Sequence, residues 1–436
     1  MSEAQTIAAA ARLRTARPRL EAVDRRDAAL LSIGTLASGL LAYAFNVIAA
    51  RSLGPEVYGA VGALWAGMFL IAVLLFRPVE QTVSRAVADQ VARGVDARPA
   101  VRSAAWLALA ITLVAVAACL AAWRPLTEGL FGGRPVLTVA LVAGVAGYAI
   151  SYFARGLVGG VRWFGGYGLV LLADGAIRLA LAVPLLFVAS PTIAAIAIAA
   201  AAAGGALAPL LSAGRSRLEA LGNGAEEGSF AVGAAARFAL PAAVIAGCEQ
   251  VLVSGGPLLV LIAGGEGAAA AAGVLFAATL LLRAPVFVFQ GIAASLLPNL
   301  TTFQARGDHA RLHRATALVA LALACFAGLL ALGALAAGPW AMDLLYGAGF
   351  DATRADLALL AVGIGGFLAA GTFCQALLAR GQGGRAAALW STAAATFVVL
   401  ELSLDGSEFH RVSVAFAVAS TLIGVLLMAA VWRQRA

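Results

Sequence analysis

The sequence has no lysine, only three histidines and four cysteines, and just 12% of its 436 residues are charged. A water-soluble domain carries about twice that share of charge. Such poverty in surface-forming residues, beside a hydrophobic share of 62%, excludes a soluble enzyme, a disordered chain and a nucleic-acid module. The cysteines (Cys119, Cys248, Cys325, Cys374) each sit inside an apolar run, so neither a disulfide framework nor a zinc spacing can be built from them. His309, His313 and His410 are dispersed and offer no metal constellation. No glycine-rich stretch follows a strand-like run, which removes a phosphate-loop reading. What remains is a mean hydropathy of +0.94, 49 glycines and all 30 basic residues present as arginine. These describe a polytopic membrane protein whose helices approach closely through small residues.

A spanning helix needs about 20 mostly apolar residues. Twelve such runs are read, at 28–50, 57–77, 104–123, 136–156, 167–189, 191–213, 238–262, 268–300, 315–338, 355–378, 386–404 and 412–432. No cleavable signal is expected, because 27 residues of arginine-rich tail precede a first run too long for a signal segment. With the N-terminus inside, 23 arginines fall in inner segments, five in outer loops and two within spans. That asymmetry predicts a multi-pass protein of the inner membrane with both termini cytoplasmic.

The polar stretch Gly214–Phe230 divides the runs six and six. The domain reading is a basic tail (1–27), a first six-helix lobe (28–213), a cytoplasmic linker (214–232), a second lobe (233–432) and a short tail (433–436). Four local features recur in order in the two halves. Arg77-Pro78 corresponds to Arg283-Ala284-Pro285, and Arg93-Gly94 to Arg306-Gly307. Leu130 to Gly133 corresponds to Leu345 to Ala348, and Ala154-Arg155-Gly156, taken as the turn after the fourth helix, to Ala379-Arg380-Gly381. Six being even, both halves enter from one side and form parallel repeats, an all-α architecture with a central cavity between lobes. Pro241 and Pro285 are expected to kink spans seven and eight.

The corner Arg51-Ser52-Leu53-Gly54-Pro55-Glu56-Val57-Tyr58-Gly59, with Asn46 before it, resembles that of polysaccharide flippases in the multidrug/oligosaccharidyl-lipid/polysaccharide (MOP) exporter superfamily. The stretch from Phe276 to Gly307, with Arg283, Pro285 and Pro298-Asn299, and the corner Tyr346-Gly347-Ala348-Gly349-Phe350 are similar to that family as well. The resemblance covers spans one to ten. It implies a V-shaped pair of lobes whose cationic cavity accepts the sugar-diphosphate head of a polyprenol-linked glycan. It also implies contact with glycan polymerase or glycosyltransferase machinery.

Charge inside a membrane marks the candidate site, since each such group needs a partner or a wet cavity. Arg283 and Arg178 are the deep cations, and Asn46 and Gln290 are the polar groups added to them as substrate-binding candidates. Asp174 and Arg178 are four apart on one helix face and can pair. Glu249 and Asp174 are candidates for ion coupling or for structural pairing, either of them as the partner of Arg283. Arg77, Gln81 and Arg85 share a stripe at the inner end of span two, forming either a cationic loading rim for phosphate or a snorkelling interfacial helix. No catalytic residue, cofactor or metal site is expected; coupling to a proton or sodium ion is left open. The competing functions are a cation-coupled drug exporter of the same superfamily and a membrane glycan polymerase or ligase. The first would favour a free carboxylate in the first lobe, and the second a larger outer loop than 339–354.

Overall fold

The computed structural model describes residues 25–222, 232–284 and 309–432, and among these the chain is helical with no strand. The first helical stretch, Arg25–Arg93, contains 69 residues. At 1.5 Å per residue it would reach about 100 Å, more than three bilayer cores, if it were one rod. It is not one rod. Gly54 (φ 72°, ψ 167°) breaks it into α1 (25–53) and α2 (55–93). A Cβ on Gly54 would meet nothing within 4 Å, so glycine is required there for its positive φ and not for space. Pro55 then opens α2, where a missing N–H costs nothing.

The remaining helices are α3 (Arg98–Ala121), α4 (Pro135–Gly160), α5 (Phe164–Ala182), α6 (Pro191–Leu211) and α7 (Val232–Ala263). They are followed by α8 (268–284 as described), α9 (His309–Tyr346), α10 (Arg354–Ala379), α11 (Gly383–Ser403) and α12 (Glu408–Trp432). Ten helices among the described residues are long and apolar enough to cross a membrane, and the first of them contains both α1 and α2. The protein is therefore an all-α, multi-pass membrane protein of two lobes, α1–α6 and α7–α12.

Several boundaries differ from the sequence reading. Helix α2 runs sixteen residues past the expected end at position 77, because it becomes amphipathic rather than stopping. Val79, Val83 and Val87 bury against Ala104 and Ala108 of α3, while Arg77 and Arg85 stay exposed. Helix α4 ends at Gly160, with its turn at Arg162 (φ 58°), so Arg155 lies inside the helix and not in the turn after it. The match of Ala154-Arg155-Gly156 to Ala379-Arg380-Gly381 is thus displaced, since Arg380 does follow its helix and Gly381 has φ 71°. Pro241 sits within the continuous helix α7. Pro285, Gln290 and Pro298-Asn299 lie outside the described residues.

The lobes meet along two seams. Along α2 and α7, Leu74 lies against Gly247. At the Gly54 end, Gly59 and Gly273 pass so closely that a Cβ on Gly59 would overlap the Ala269 carbonyl and one on Gly273 the Pro55 carbonyl. Tyr58 wedges between Phe276 (5.8 Å) and Phe350 (5.9 Å), and Arg51 donates to the Leu344 carbonyl. Tyr58, Tyr346 and Phe350 are all buried. This end of the lobe interface is sealed by packing, which in a membrane takes over the role of the hydrophobic force.

Candidate central cavity

Below the sealed end lies a cavity of about 340 Å³ walled by α1, α2, α4 and α5 on one side and by α7 and α8 on the other. Its size falls within the usual range of small-molecule pockets, roughly 300–1,000 Å³. The middle of α1, from Thr35 to Asn46, forms one edge.

The first-lobe wall is built on an aromatic row. Phe45 stacks on Trp65 (5.6 Å) and Trp65 on Phe69 (5.3 Å); Phe69 leads to Tyr148 (5.3 Å) and Tyr148 to Tyr152 one turn further along α4 (6.3 Å). Two arginines lie on this row. Arg178 sits 4.5 Å over Trp65, donates to the Tyr148 hydroxyl (3.1 Å) and pairs with Asp174 at 2.6 Å. Its side chain is 2% exposed, which is tolerable only because charge, hydrogen bonds and an aromatic face compensate it together. Arg155 lies 3.7 Å over Tyr152 and faces Glu80 of α2 at 3.7 Å, and Glu80 accepts a 2.7 Å hydrogen bond from Tyr167.

The second-lobe wall is polar but differently furnished. Gln250 accepts from Ser254 (3.3 Å) on α7, and Thr279 and Arg283 line the cavity from α8. Arg283 makes no ion pair among the described residues. The expectation that Glu249 serves Arg283 is corrected: Glu249 pairs across the lobes with Arg77 (3.8 Å). The cause is position, since both α2 and α7 present these residues along the seam where Leu74 meets Gly247.

Of the sequence candidates, the structure brings Asn46, Asp174, Arg178 and Arg283 to one cavity. The amide of Asn46 is already engaged, donating to the Ala42 carbonyl (2.8 Å) and accepting from Tyr58 (3.1 Å). Arg77, Gln81 and Arg85 do not line it. Arg155 does, and so corrects the reading that only Arg178 and Arg283 lie deep; its one sequence signal was an arginine among apolar residues a turn and a half before the helix end. Among the described residues the lining carries three arginines and one carboxylate, Asp174. No cluster of metal-ligating side chains occurs among the described residues, and His410 is occupied with Asp356 (2.6 Å).

Residues 25–214 match the family model described as polysaccharide biosynthesis protein. Uncharacterized proteins of Mycobacterium bovis and Mycobacterium tuberculosis are 28% identical to this chain over 352 residues, covering 78% of it and 77% of their own length. Among solved structures, an inward-facing multidrug resistance MATE family transporter of the MOP superfamily superposes with a TM-score of 0.70 at 15% identity, over 93% of this chain and all of that one. A eukaryotic MATE transporter matches with a TM-score of 0.62 at 15% identity, over 95% and 97% of the two chains. The chain thus shares the fold of these transporters, and the match to the polysaccharide biosynthesis model falls on its first lobe.

Proposed function

We propose that the protein is an alternating-access flippase that carries a polyprenol-diphosphate-linked oligosaccharide from the inner to the outer leaflet for cell-surface polysaccharide synthesis. The observation that carries this reading is Arg283, which lines the cavity without a counter-charge among the described residues. A diphosphate crossing low-dielectric space requires fixed cations at depth, and a guanidinium fork suits its oxygens. The polysaccharide biosynthesis pattern of the first lobe supports a glycan cargo. The cation-coupled exporter is less well supported, because Asp174, the one carboxylate lining the cavity among the described residues, is held by Arg178 at 2.6 Å. If the termini are cytoplasmic, as the arginine asymmetry asks, the sealed Gly54 end faces outward and the cavity receives its cargo from the inside. Glycosyltransferases there and a glycan polymerase outside are then the natural partners.

The test is transport of a fluorescent polyprenol-diphosphate oligosaccharide in proteoliposomes. Arg283→Ala is expected to abolish flipping while protein level and melting temperature stay at those of the wild type. Arg283→Lys keeps the charge but loses the planar fork, so partial activity is expected. Wild-type flipping by Arg283→Ala would overturn the reading.

A further inference from the structure

The two cavity walls differ in the kind of hydrogen bonding they leave unmet. On the first-lobe wall, Asp174 Oδ1, Arg178 Nε, and Arg155 Nε and Nη2 are buried without a hydrogen-bond partner among the described residues. That set contains an acceptor beside donors, and all three residues line the cavity. Unmet buried groups of this kind are costly and call for a partner. An ionised phosphate offers acceptors alone: it would satisfy the guanidinium groups but be repelled by Asp174 Oδ1. A hydroxyl both donates and accepts, so a sugar hydroxyl can donate to the Asp174 carboxylate, whose side chain is 14% exposed, while accepting from an arginine of the same wall. A carboxylated sugar would meet the same repulsion as phosphate.

The rest of this wall fits the same ligand. A pyranose ring has an apolar C–H face and a rim of hydroxyls. The Trp65–Phe69–Tyr148–Tyr152 row supplies the apolar surface, and the paired guanidinium and carboxylate groups border it. Both arginines are fixed in place by aromatic faces at 4.5 and 3.7 Å, so little freedom remains to be lost when a ligand arrives. Each also already has a carboxylate neighbour, Asp174 for Arg178 and Glu80 for Arg155, which leaves little net charge for an anion. We infer that the first-lobe wall is a saccharide subsite for uncharged sugar rings, held by the aromatic row, Asp174, Arg178 and Arg155, and that the diphosphate is left to Arg283 on the opposite lobe. This rests on the glycan reading of the cargo and adds to it a division of labour between the walls.

Calorimetric titration of the purified full-length protein in detergent tests the division. The probes are a panel of neutral hexoses, N-acetylhexosamines, 6-deoxyhexoses and their disaccharides, and, separately, inorganic pyrophosphate. At least one panel member is expected to bind. Asp174→Asn keeps the volume but weakens the acceptor, and should lower that affinity about tenfold while pyrophosphate changes by less than about twofold. Trp65→Leu, outside the ion pair, should lower sugar affinity to a similar degree, and keeps the test open should Asp174→Asn fail to fold. Arg283→Ala should weaken pyrophosphate about tenfold. Absence of binding by every panel member, or loss of pyrophosphate instead of sugar in Asp174→Asn and Trp65→Leu, would overturn the inference. Pyrophosphate binding that ignores Arg283→Ala while the sugar pattern holds would count against the head-group reading alone and leave the saccharide subsite standing.

Discussion

The two cavity walls treat their arginines in opposite ways. In the first, Arg178 is neutralised by Asp174, stacked on Trp65 and hydrogen-bonded to Tyr148, and Arg155 is paired with Glu80 and stacked on Tyr152. In the second, Arg283 faces the cavity among neutral neighbours such as Thr279, Gln250 and Ser254. A buried charge that is compensated belongs to the scaffold, and its loss is felt as instability. A charge left without compensation is a standing cost, which a ligand of opposite sign can offset. One cavity wall is thus a rigid platform, and the other holds a cation awaiting a counter-charge.

The largest effect should come from breaking the compensated side. Arg178→Met strands Asp174 in a wall where its partner is 2% exposed, and should destabilise the protein by about 3–5 kcal/mol. Pairing it with Asp174→Leu removes both charges and should recover most of that loss. Arg283→Met should leave stability within about 1 kcal/mol of the wild type, since it removes a group without a described partner. Thermal melting in one detergent compares all three. If Arg283→Met melts as early as Arg178→Met, the contrast between lobes is wrong and Arg283 is structural.

A smaller effect concerns the seal rather than the walls. Gly273→Leu would push a side chain into the Pro55 carbonyl, so the closed Gly54 end should lose roughly 1–3 kcal/mol. Spin labels at positions 51 and 344, whose residues are hydrogen-bonded across the seal, should report longer distances in this variant. Gly67→Ala on α2 meets open space and serves as the control that should not move them. Unchanged distances in Gly273→Leu would mean that the Tyr58 wedge, and not the glycine crossing, holds the end shut.

The parts of this molecule legible in its sequence are those fixed over short distances. The spans were readable because a run of about 20 apolar residues has few alternatives to a membrane helix. The Asp174–Arg178 pair followed from the i, i+4 spacing alone. The Gly54-Pro55 corner announced itself through two residues with backbone consequences. Arg155 was not readable, because what buries it comes from elsewhere: Glu80 on α2 and Tyr167 on α5 are 87 positions apart and meet only after α2, α4 and α5 pack. Without that packing, an arginine near a helix end is indistinguishable from one in a turn. The aromatic row was equally hidden, being assembled from α1, α2 and α4, none of which shows it as a motif. The pairing of Glu249 with Arg77 instead of Arg283 turned on which helices share a seam, and a one-dimensional count of charges carries no such information.

The smallest expected effect lies at that seam, and it asks whether the lobes are joined by charge at all. Arg77 and Glu249 approach to 3.8 Å with side chains 45% and 25% exposed. An ion pair so long and so open to solvent gains modest Coulomb energy and loses side-chain entropy, so its coupling should fall between about 0.2 and 1 kcal/mol. A double-mutant cycle with Arg77→Gln, Glu249→Gln and the pair, read by melting temperature at low and high salt, measures it directly. Screening should remove most of a coupling of this kind. On that outcome the lobes are held together by packing, as at Leu74 and Gly247, and the two compensated arginines of the cavity wall remain private to the first lobe. A coupling of several kcal/mol that survives salt would reverse the conclusion. The α2–α7 seam would then be an electrostatic latch, and the second lobe would own a compensated charge of the kind otherwise confined to the first.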